Sequence, residues 1–244
     1  MFPIKGLERP ARFLRNACAQ DNSGGVYLGE YIPNLNRDEI HIYYLAPNTY
    51  ELKILHTFKK NTIRHVHGIY KDPYSNDFWV LTGDIENECK ILKTSDQFKS
   101  LIEVGSGNEN WRAVSLQFTK NNVYYGTDAE FNQNYIFKMD RKTQKIKKIA
   151  EIDGPVYYST KVNNQVIFAV TAEGCPSQKE NKAVLWKLNE NDTISKIQSY
   201  DKDIYPIQFI PGTIHFSNTI NDNFIYCYGI GLRGLNHKLI KIQC

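Results

Sequence analysis

The sequence predicts an all-β fold built from repeats, and three observations support that prediction. Strand-like apolar runs end on an acidic residue at four places, 54, 44 and 45 residues apart. The 16 tyrosines and 12 phenylalanines favour pleated strands. No segment shows a helical period longer than about ten residues. Repeats of this length are typical of four-stranded propeller blades, so the sequence predicts a β-propeller.

Each repeat is predicted to contain four short strands separated by turn residues. The second repeat shows this most clearly, with strands at 65–70, 78–82, 89–93 and 101–104. Strands of the other complete repeats are expected at 13–17, 26–29, 40–45 and 51–58, then at 113–118, 123–126, 135–139 and 146–149, then at 156–162, 166–170, 183–188 and 194–199. The blades are predicted over 11–63, 64–108, 109–154, 155–209 and 210–244, within a single domain spanning 1–244.

The last repeat contains only three predicted strands, at 213–217, 224–228 and 237–243. Propellers commonly complete the last blade with a strand from the other terminus, because an unpaired edge would otherwise remain. Residues 2–5, within an N-terminal segment at 1–8, are the expected fourth strand. Five blades is therefore the direct count, and six or seven follow if the chain is part of a longer protein.

Composition narrows the class of partner and the compartment. The 30 basic and 26 acidic residues are spread along the chain, which argues against a nucleic-acid partner. No apolar run reaches about 18 residues, so no membrane partner is expected. Five widely spaced cysteines favour a reducing compartment, and the N-terminus lacks the apolar core of a signal peptide. We expect a cytoplasmic protein, or a secreted or periplasmic one if a leader has been removed.

The four acids at the ends of second strands define the candidate catalytic site. In propellers the loop leaving the second strand and the loop entering the innermost strand open on one face, so these acids should share a mouth with residues that start innermost strands. An acid pair suits a glycosidase, and a histidine suits a lyase that abstracts a proton beside a uronate. Each acid can also simply cap its turn. The catalytic candidates are Glu30, Asp84, Asp128, Glu173 and His67.

His65 and His67 flank one residue, and alternation along a strand would direct both imidazoles to the same side. Together with Asp84 or Glu30 they offer nitrogen and oxygen ligands for a divalent metal. A metal is the only cofactor that the sequence suggests, and substrate contact or a structural role remains an alternative for the same residues.

Aromatic and basic residues beside the acids are candidates for substrate binding. Trp111 offers a face for a sugar ring, and Arg112 offers a planar fork for a carboxylate or sulfate. Alternatively, Trp111 is a core residue and Arg112 an ion-pair partner of Asp84 or Asp128. His65 and Tyr158 complete the substrate-binding set.

Two groups of residues carry a resemblance to a known family. The segment Thr94-Ser95-Asp96-Gln97-Phe98-Lys99-Ser100-Leu101 resembles the Asp-box (BNR repeat) of sialidase-type propellers, with Phe98 for glycine and Leu101 for tryptophan. The wider pattern over residues 12–175 resembles a group of bacterial Asp-box-like propeller proteins that occur with polysaccharide-related genes. That pattern includes Arg64-His65-Val66-His67-Gly68, Thr82-Gly83-Asp84 and Gly126-Thr127-Asp128. The resemblance implies a propeller associated with polysaccharides and carries no catalytic assignment.

Two functions remain open at this point. The first is a carbohydrate-binding or carbohydrate-active propeller that accepts a polar or acidic glycan at its central mouth, as a glycosidase or polysaccharide lyase if it is an enzyme. The second is a non-catalytic scaffold that binds a protein partner, since propellers often present loops to other proteins. The state of the mouth, open or filled by paired side chains, distinguishes the two.

Overall fold

A computed structural model describes residues 3–217 and 224–243. The chain forms two compact units, residues 1–114 and 115–244. Both are built from antiparallel sheets whose strands follow chain order, which confirms the predicted all-β class. Phe2 and Cys244 lie outside the described residues.

The first unit contains two four-stranded sheets. The strands of the first sheet are β1 (Arg12–Gln20), β2 (Val26–Tyr31), β3 (Ile40–Leu45) and β4 (Leu52–Phe58). Those of the second are β5 (Val66–Lys71), β6 (Phe78–Thr82), β7 (Lys90–Thr94) and β8 (Ile102–Ser106). Two single 3-10 turns follow β6 and β8, at Glu86–Glu88 and Glu109–Trp111.

The described residues of the second unit form three sheets. The first has β9 (Gln117–Phe118), β10 (Asn122–Gly126), β11 (Asn134–Asp140) and β12 (Ile146–Ile152). The next has β13 (Val156–Val162), β14 (Gln165–Val170), β15 (Lys182–Leu188) and β16 (Ile194–Asp201). The last sheet has three strands in the described residues, β17 (Thr213–Phe216), β18 (Phe224–Ile230) and β19 (Leu239–Gln243).

Alternation along the strands builds the core of each unit. In the first unit, Tyr27 stacks on Phe98 at 5.3 Å between ring centroids and lies 4.4 Å from Phe78, so aromatic rings join the two sheets. In the second unit, Ile167, Leu185 and Ile214 are among the fully buried residues of one apolar cluster. Removal of this apolar surface from water is the main stabilising term for sheets of this kind.

Two details differ from the sequence-based expectations. Residues 2–5 were expected as the fourth strand of the last sheet, but Lys5 forms a parallel bridge with Glu51 beside β4. Its N–H donates to the Tyr50 carbonyl and its carbonyl accepts from the Leu52 N–H, so these groups are already paired. The predicted strand at 113–118 is reduced to the two residues of β9.

Within the described residues, no helix has the length and apolar character needed to cross a membrane.

Candidate functional site

Asp84 follows β6 and is held in place by a glycine that no other residue can replace without strain. Gly83 has a φ of +117°, and a Cβ at this position would lie 2.3 Å from the Cα of Cys89. The turn therefore needs glycine at 83. This turn directs the carboxylate of Asp84 inward, where the residue is only 9% exposed.

The two histidines enter the same site from the beginning of β5. His65 directly precedes the strand, and the register between β5 and β6 shifts between Val66 and Gly68, so His67 occupies a β-bulge. Bulges redirect side chains near functional sites. The imidazoles therefore converge through a bulge, and not through the simple alternation that the sequence suggested.

The three side chains form a compact triangle of donor atoms. The Nε2 atoms of His65 and His67 lie 3.0 Å apart. The Nε2 of His65 lies 3.4 Å from one carboxylate oxygen of Asp84, and the Nε2 of His67 lies 3.4 Å from the other. One donor atom from each residue lies within 4.8 Å of the other two, which is the spacing of ligands around a single ion.

A backbone carbonyl fixes the tautomer of His65. Its Nδ1 lies 3.2 Å from the carbonyl oxygen of Ile32, and because a carbonyl only accepts, Nδ1 donates. In the neutral ring Nε2 then carries a lone pair that faces Asp84. Metal-bound histidines usually have their other ring nitrogen anchored in this way. The ring of Tyr31 stacks on the imidazole of His65 at 3.9 Å and fixes its plane.

Two arginines hold the carboxylate of Asp84 from other directions. The Nη1 of Arg64 donates to Asp84 at 3.1 Å, and the Nη2 of Arg112 lies 3.5 Å from the other oxygen. Arg112 also donates from Nη1 to the Asp84 carbonyl at 2.9 Å. Glu109, buried in the 3-10 turn, lies 3.7 Å from Arg112. The predicted ion pair between Arg112 and Asp84 is therefore present.

Burial and hydrogen bonding shift the titration of the cluster in defined directions. Burial lowers the pKa of His67 below its ordinary value, which outweighs its hydrogen bond to Asp84. Burial alone would raise the pKa of Asp84, but hydrogen bonds from His65 and His67, which form when a ring carries a proton on Nε2, lower it well below its usual range. At neutral pH the site thus holds an ionised Asp84 beside a neutral His67.

The other predicted residues of the first unit lie in more structural surroundings. Glu30 is fully buried, receives two hydrogen bonds of 2.7 Å from Arg9, and accepts one from the backbone N–H of His41. Trp111 lies in the 3-10 turn, where its indole covers Gly105. The Trp111 indole therefore packs against Gly105, and both oxygens of Glu30 accept hydrogen bonds within this unit.

The second unit contains a related arrangement around Glu173. Tyr157 occupies a bulge between Val156 and Tyr158 at the beginning of β13, and its hydroxyl donates to Glu173 at 2.5 Å. Tyr158 packs on His215 at 4.3 Å between ring centroids. In both units a bulged residue of an innermost strand therefore contacts the acid that follows the second strand.

Asp128 is buried at 4% exposure in the second unit, after β10. The prediction that all four acids share one mouth involves both units and stays a prediction.

Sequence reasoning did not single out three parts of the cluster: the carbonyl of Ile32 and the ring of Tyr31, which contact His65, and the guanidinium of Arg64, which contacts Asp84. The first two come from β2 and the residue after it, more than 30 positions away, so no local pattern reveals them. Arg64 directly precedes the histidine pair, and this adjacency was a usable signal.

The Asp-box-like segment forms a turn between β7 and β8. Asp96 accepts hydrogen bonds from the Ser100 N–H at 3.0 Å, from the Ser100 hydroxyl at 2.7 Å and from the Thr94 hydroxyl at 2.7 Å. Its role is therefore to close the turn.

No protein-family model matches the chain, and no curated protein matches it. Solved structures do match. A nidogen/laminin complex is similar at a TM-score of 0.54 and 9% identity, over 91% of this chain and 79% of that chain. A putative TolB from Agrobacterium tumefaciens has a TM-score of 0.55 and 11% identity, over 81% of this chain and 69% of that chain. An oligogalacturonate lyase in complex with manganese has a TM-score of 0.53 and 11% identity, over 83% of this chain and 58% of that chain. These neighbours are propeller-type folds. The chain has a β-propeller fold, and its five sheets correspond to five blades.

Proposed function

We propose that the protein binds a divalent cation through His65, His67 and Asp84 and uses it to hold the acidic group of a glycan. The spacing of the donor atoms carries this proposal: the two Nε2 atoms lie 3.0 Å apart, and each lies 3.4 Å from a different oxygen of Asp84. Neighbouring ligands of a six-coordinate cation at about 2.1 Å are separated by about 3.0 Å, so the side chains need little movement. Two imidazoles and one carboxylate suit manganese, iron or zinc.

The charges around the triangle favour an anionic ligand. Arg64 and Arg112 are offset by Asp84 and Glu109, so the cluster is neutral when both imidazoles are neutral. A bound divalent cation would leave two uncompensated positive charges in a mostly buried site, which is unfavourable. The carboxylate of a uronate, or a sulfate ester, carries one negative charge and offsets half of this excess. The side chain of Arg64 is 30% exposed and offers a planar fork towards such a ligand.

Binding fits the first unit better than acid–base catalysis by its carboxylates. A glycosidase needs two carboxyl groups across the scissile bond. Glu30 is held by Arg9, and Glu109 lies beside Arg112, so each is already part of an ion pair. A lyase would need a base other than the metal ligands.

We also propose that the protein belongs to the group of Asp-box-like propellers. The turn that Asp96 closes supports this membership.

Titration calorimetry with MnCl2 and ZnCl2 tests the proposal. Asp84→Asn is expected to weaken cation binding at least about tenfold, since even partners behind the ligands contribute that much. Asp96→Asn, which changes an aspartate of the same sheet outside the cluster, should bind like the parent. Oligogalacturonate should tighten cation binding, and a neutral cello-oligosaccharide should not. The absence of binding heat for both metals with the parent protein would rule the proposal out.

A second candidate function is a protein-interaction scaffold, and a loop of the second unit favours it. Ile204 and Phe209 are each 82% exposed, and Tyr205 between them is 56% exposed. Exposed apolar residues of this kind often mark interaction sites. A photoreactive group placed at position 209 should crosslink in cells to one defined protein, and Ile204→Ser should reduce that crosslink. Diffuse crosslinking that is unchanged by Ile204→Ser would remove this candidate.

A further inference from the structure

The last sheet differs from the other four in the place of its fourth strand. Its strands β17, β18 and β19 are paired in order, and none of the described residues pairs with the outer edge of β19. Each of the other four sheets has a fourth strand. In three of them this strand is β4, β8 or β16, and it contains five to eight residues. Every second residue of an edge strand directs its N–H and C=O outward, so β19 offers a ready template for an extended segment.

The side chains of β19 show which face such a segment would join. Ile240 and Ile242 pack against the apolar core of the unit, whereas Leu239 is 68% exposed. Lys241 is exposed and lies over the ring of Phe224, with its Nζ 3.5 Å from the ring centroid. On the exposed face of the sheet, β19 thus carries the apolar side chain of Leu239 and, two residues later, the basic side chain of Lys241.

One complete sheet shows a third-strand lysine paired across the sheet. Lys90 on β7 forms an ion pair of 3.3 Å with Glu103 on β8. Lys182 on β15 faces Asp201 on β16 in the strand register, but its ion pair of 2.9 Å is with Glu180. In the sheet of Lys90 an acid on the fourth strand therefore compensates a lysine on the third. Lys241 occupies the third strand of the last sheet, and the described residues provide no fourth strand opposite it.

The charge of the edge also argues against a second copy of this chain as the occupant. Residues 236–243 contain Lys238 and Lys241 and no acidic residue. Lysine on an edge strand disfavours pairing of like edges, and like charges directly across a sheet are destabilising.

We propose that the β19 edge binds an acidic, extended segment of a partner protein as an antiparallel fourth strand. This inference goes beyond the proposed glycan function and is independent of it. The segment would place an acidic side chain opposite Lys241 and an apolar one beside Leu239, with main-chain hydrogen bonds along β19.

Fluorescence anisotropy with a labelled peptide tests the proposal. The probe has the sequence of residues 101–106, Leu-Ile-Glu-Val-Gly-Ser, which is a natural fourth strand of this fold, and the control peptide has Lys in place of Glu. Lys241→Glu should weaken binding of the acidic peptide about three- to thirtyfold and strengthen binding of the control peptide. Lys147→Glu, the same charge change on an exposed lysine of β12, should alter neither. Hydrogen exchange at residues 239–243 should slow when the acidic peptide binds.

Three results would overturn the inference. The first is no binding at millimolar peptide, or binding that is indifferent to the charge swap at 241. The second is a dimer in sedimentation that the peptide dissociates, which would make a second copy the occupant. The third is peptide binding only after removal of residues 1–4, which would make the N-terminal segment of this chain the occupant. Lys241 is exposed, so Lys241→Glu should keep the parent's melting behaviour and leave these outcomes readable.

Discussion

The Nε2 atoms of His65 and His67 lie 3.0 Å apart, and His67 occupies the bulge in β5 that brings them together. Two ring nitrogens at this distance share either a proton or a cation. Burial lowers the pKa of His67 and so favours the neutral ring, which can either donate an N–H to the other imidazole or offer a lone pair to a cation. With the carboxylate of Asp84 beside them, the two imidazoles form the nitrogen and oxygen donor set on which the proposed cation site rests.

Removal of either imidazole should abolish most of the cation binding. We expect His65→Ala and His67→Ala each to weaken Mn²⁺ binding at least about tenfold, because each deletes one ligand. Calorimetry measures the affinity directly. His56→Ala provides the matched control, since His56 lies on β4 outside the cluster. Equal affinities for all three variants would contradict the assignment of ligands.

Stability should fall when the pH drops below neutrality, and His67 should contribute to this fall. The folded-state pKa of His67 is lower than its unfolded value of about 6.5, so the unfolded state binds more protons in this range. The contribution of His67 to the free energy of unfolding is therefore fully present above about pH 6.5 and decreases as the pH falls below that value. Urea denaturation of the parent and of His67→Gln at several pH values measures this, and the variant should show the smaller slope.

Asp84 should produce a separate loss of stability at acidic pH. Its folded-state pKa is well below the unfolded value of about 3.9, so its contribution is present above that value and is lost as the pH falls further. Asp84→Asn should lack this acid-dependent step. A step of unchanged size in Asp84→Asn would assign it to other carboxylates.

Glu30→Gln should reduce stability and leave cation binding intact. The substitution weakens two hydrogen bonds from Arg9, and we expect a loss of about 1–3 kcal/mol in the free energy of unfolding, towards the lower end because Arg9 is 30% exposed. Denaturant titration and calorimetry give the two readouts. Glu51→Gln, at an exposed acid of the same sheet, is the control. Loss of cation binding in Glu30→Gln would return Glu30 to the list of site residues.

Tyr157→Phe tests the role of the second acid-containing contact. Loss of the 2.5 Å hydrogen bond to Glu173 should lower the free energy of unfolding by about 0.5–1.5 kcal/mol. Cation binding by the first unit should not change. Tyr205→Phe, at an exposed tyrosine, is expected to leave stability unaltered. A Tyr157→Phe protein as stable as the parent but unable to bind oligogalacturonate would instead place Tyr157 in the glycan site.

The sequence was sufficient to predict the strands that have clear alternation and turn residues at both ends. Ile40–Leu45, Phe78–Thr82 and Val156–Val162 have the predicted bounds. The strand expected at 113–118 is shorter, because only Gln117 and Phe118 pair with β10. The N-terminal pairing differed because Lys5 bonds to residues beside β4.

The sequence identified the candidate ligands but not what orients them. Local sequence patterns reveal these ligands: Asp84 follows a glycine at the end of a strand-like run, and His65 and His67 are separated by one residue. The bulge at His67 and the carbonyl of Ile32 that fixes the His65 tautomer are long-range features, because they depend on how β5 meets β6 and β2. Local residue patterns do not specify such contacts.

Anomalous diffraction from crystals soaked in MnCl2 would locate a cation bound by His65, His67 and Asp84. We expect one strong peak within about 2.0–2.3 Å of the Nε2 atoms of His65 and His67 and of a carboxylate oxygen of Asp84. Data from Asp96→Asn crystals should show the same peak, and data from Asp84→Asn crystals should not. A fully soaked parent crystal without a peak between the two imidazoles, and with Arg64 and Arg112 still on Asp84, would contradict the proposed cation site and leave the cluster as an ion-pair network.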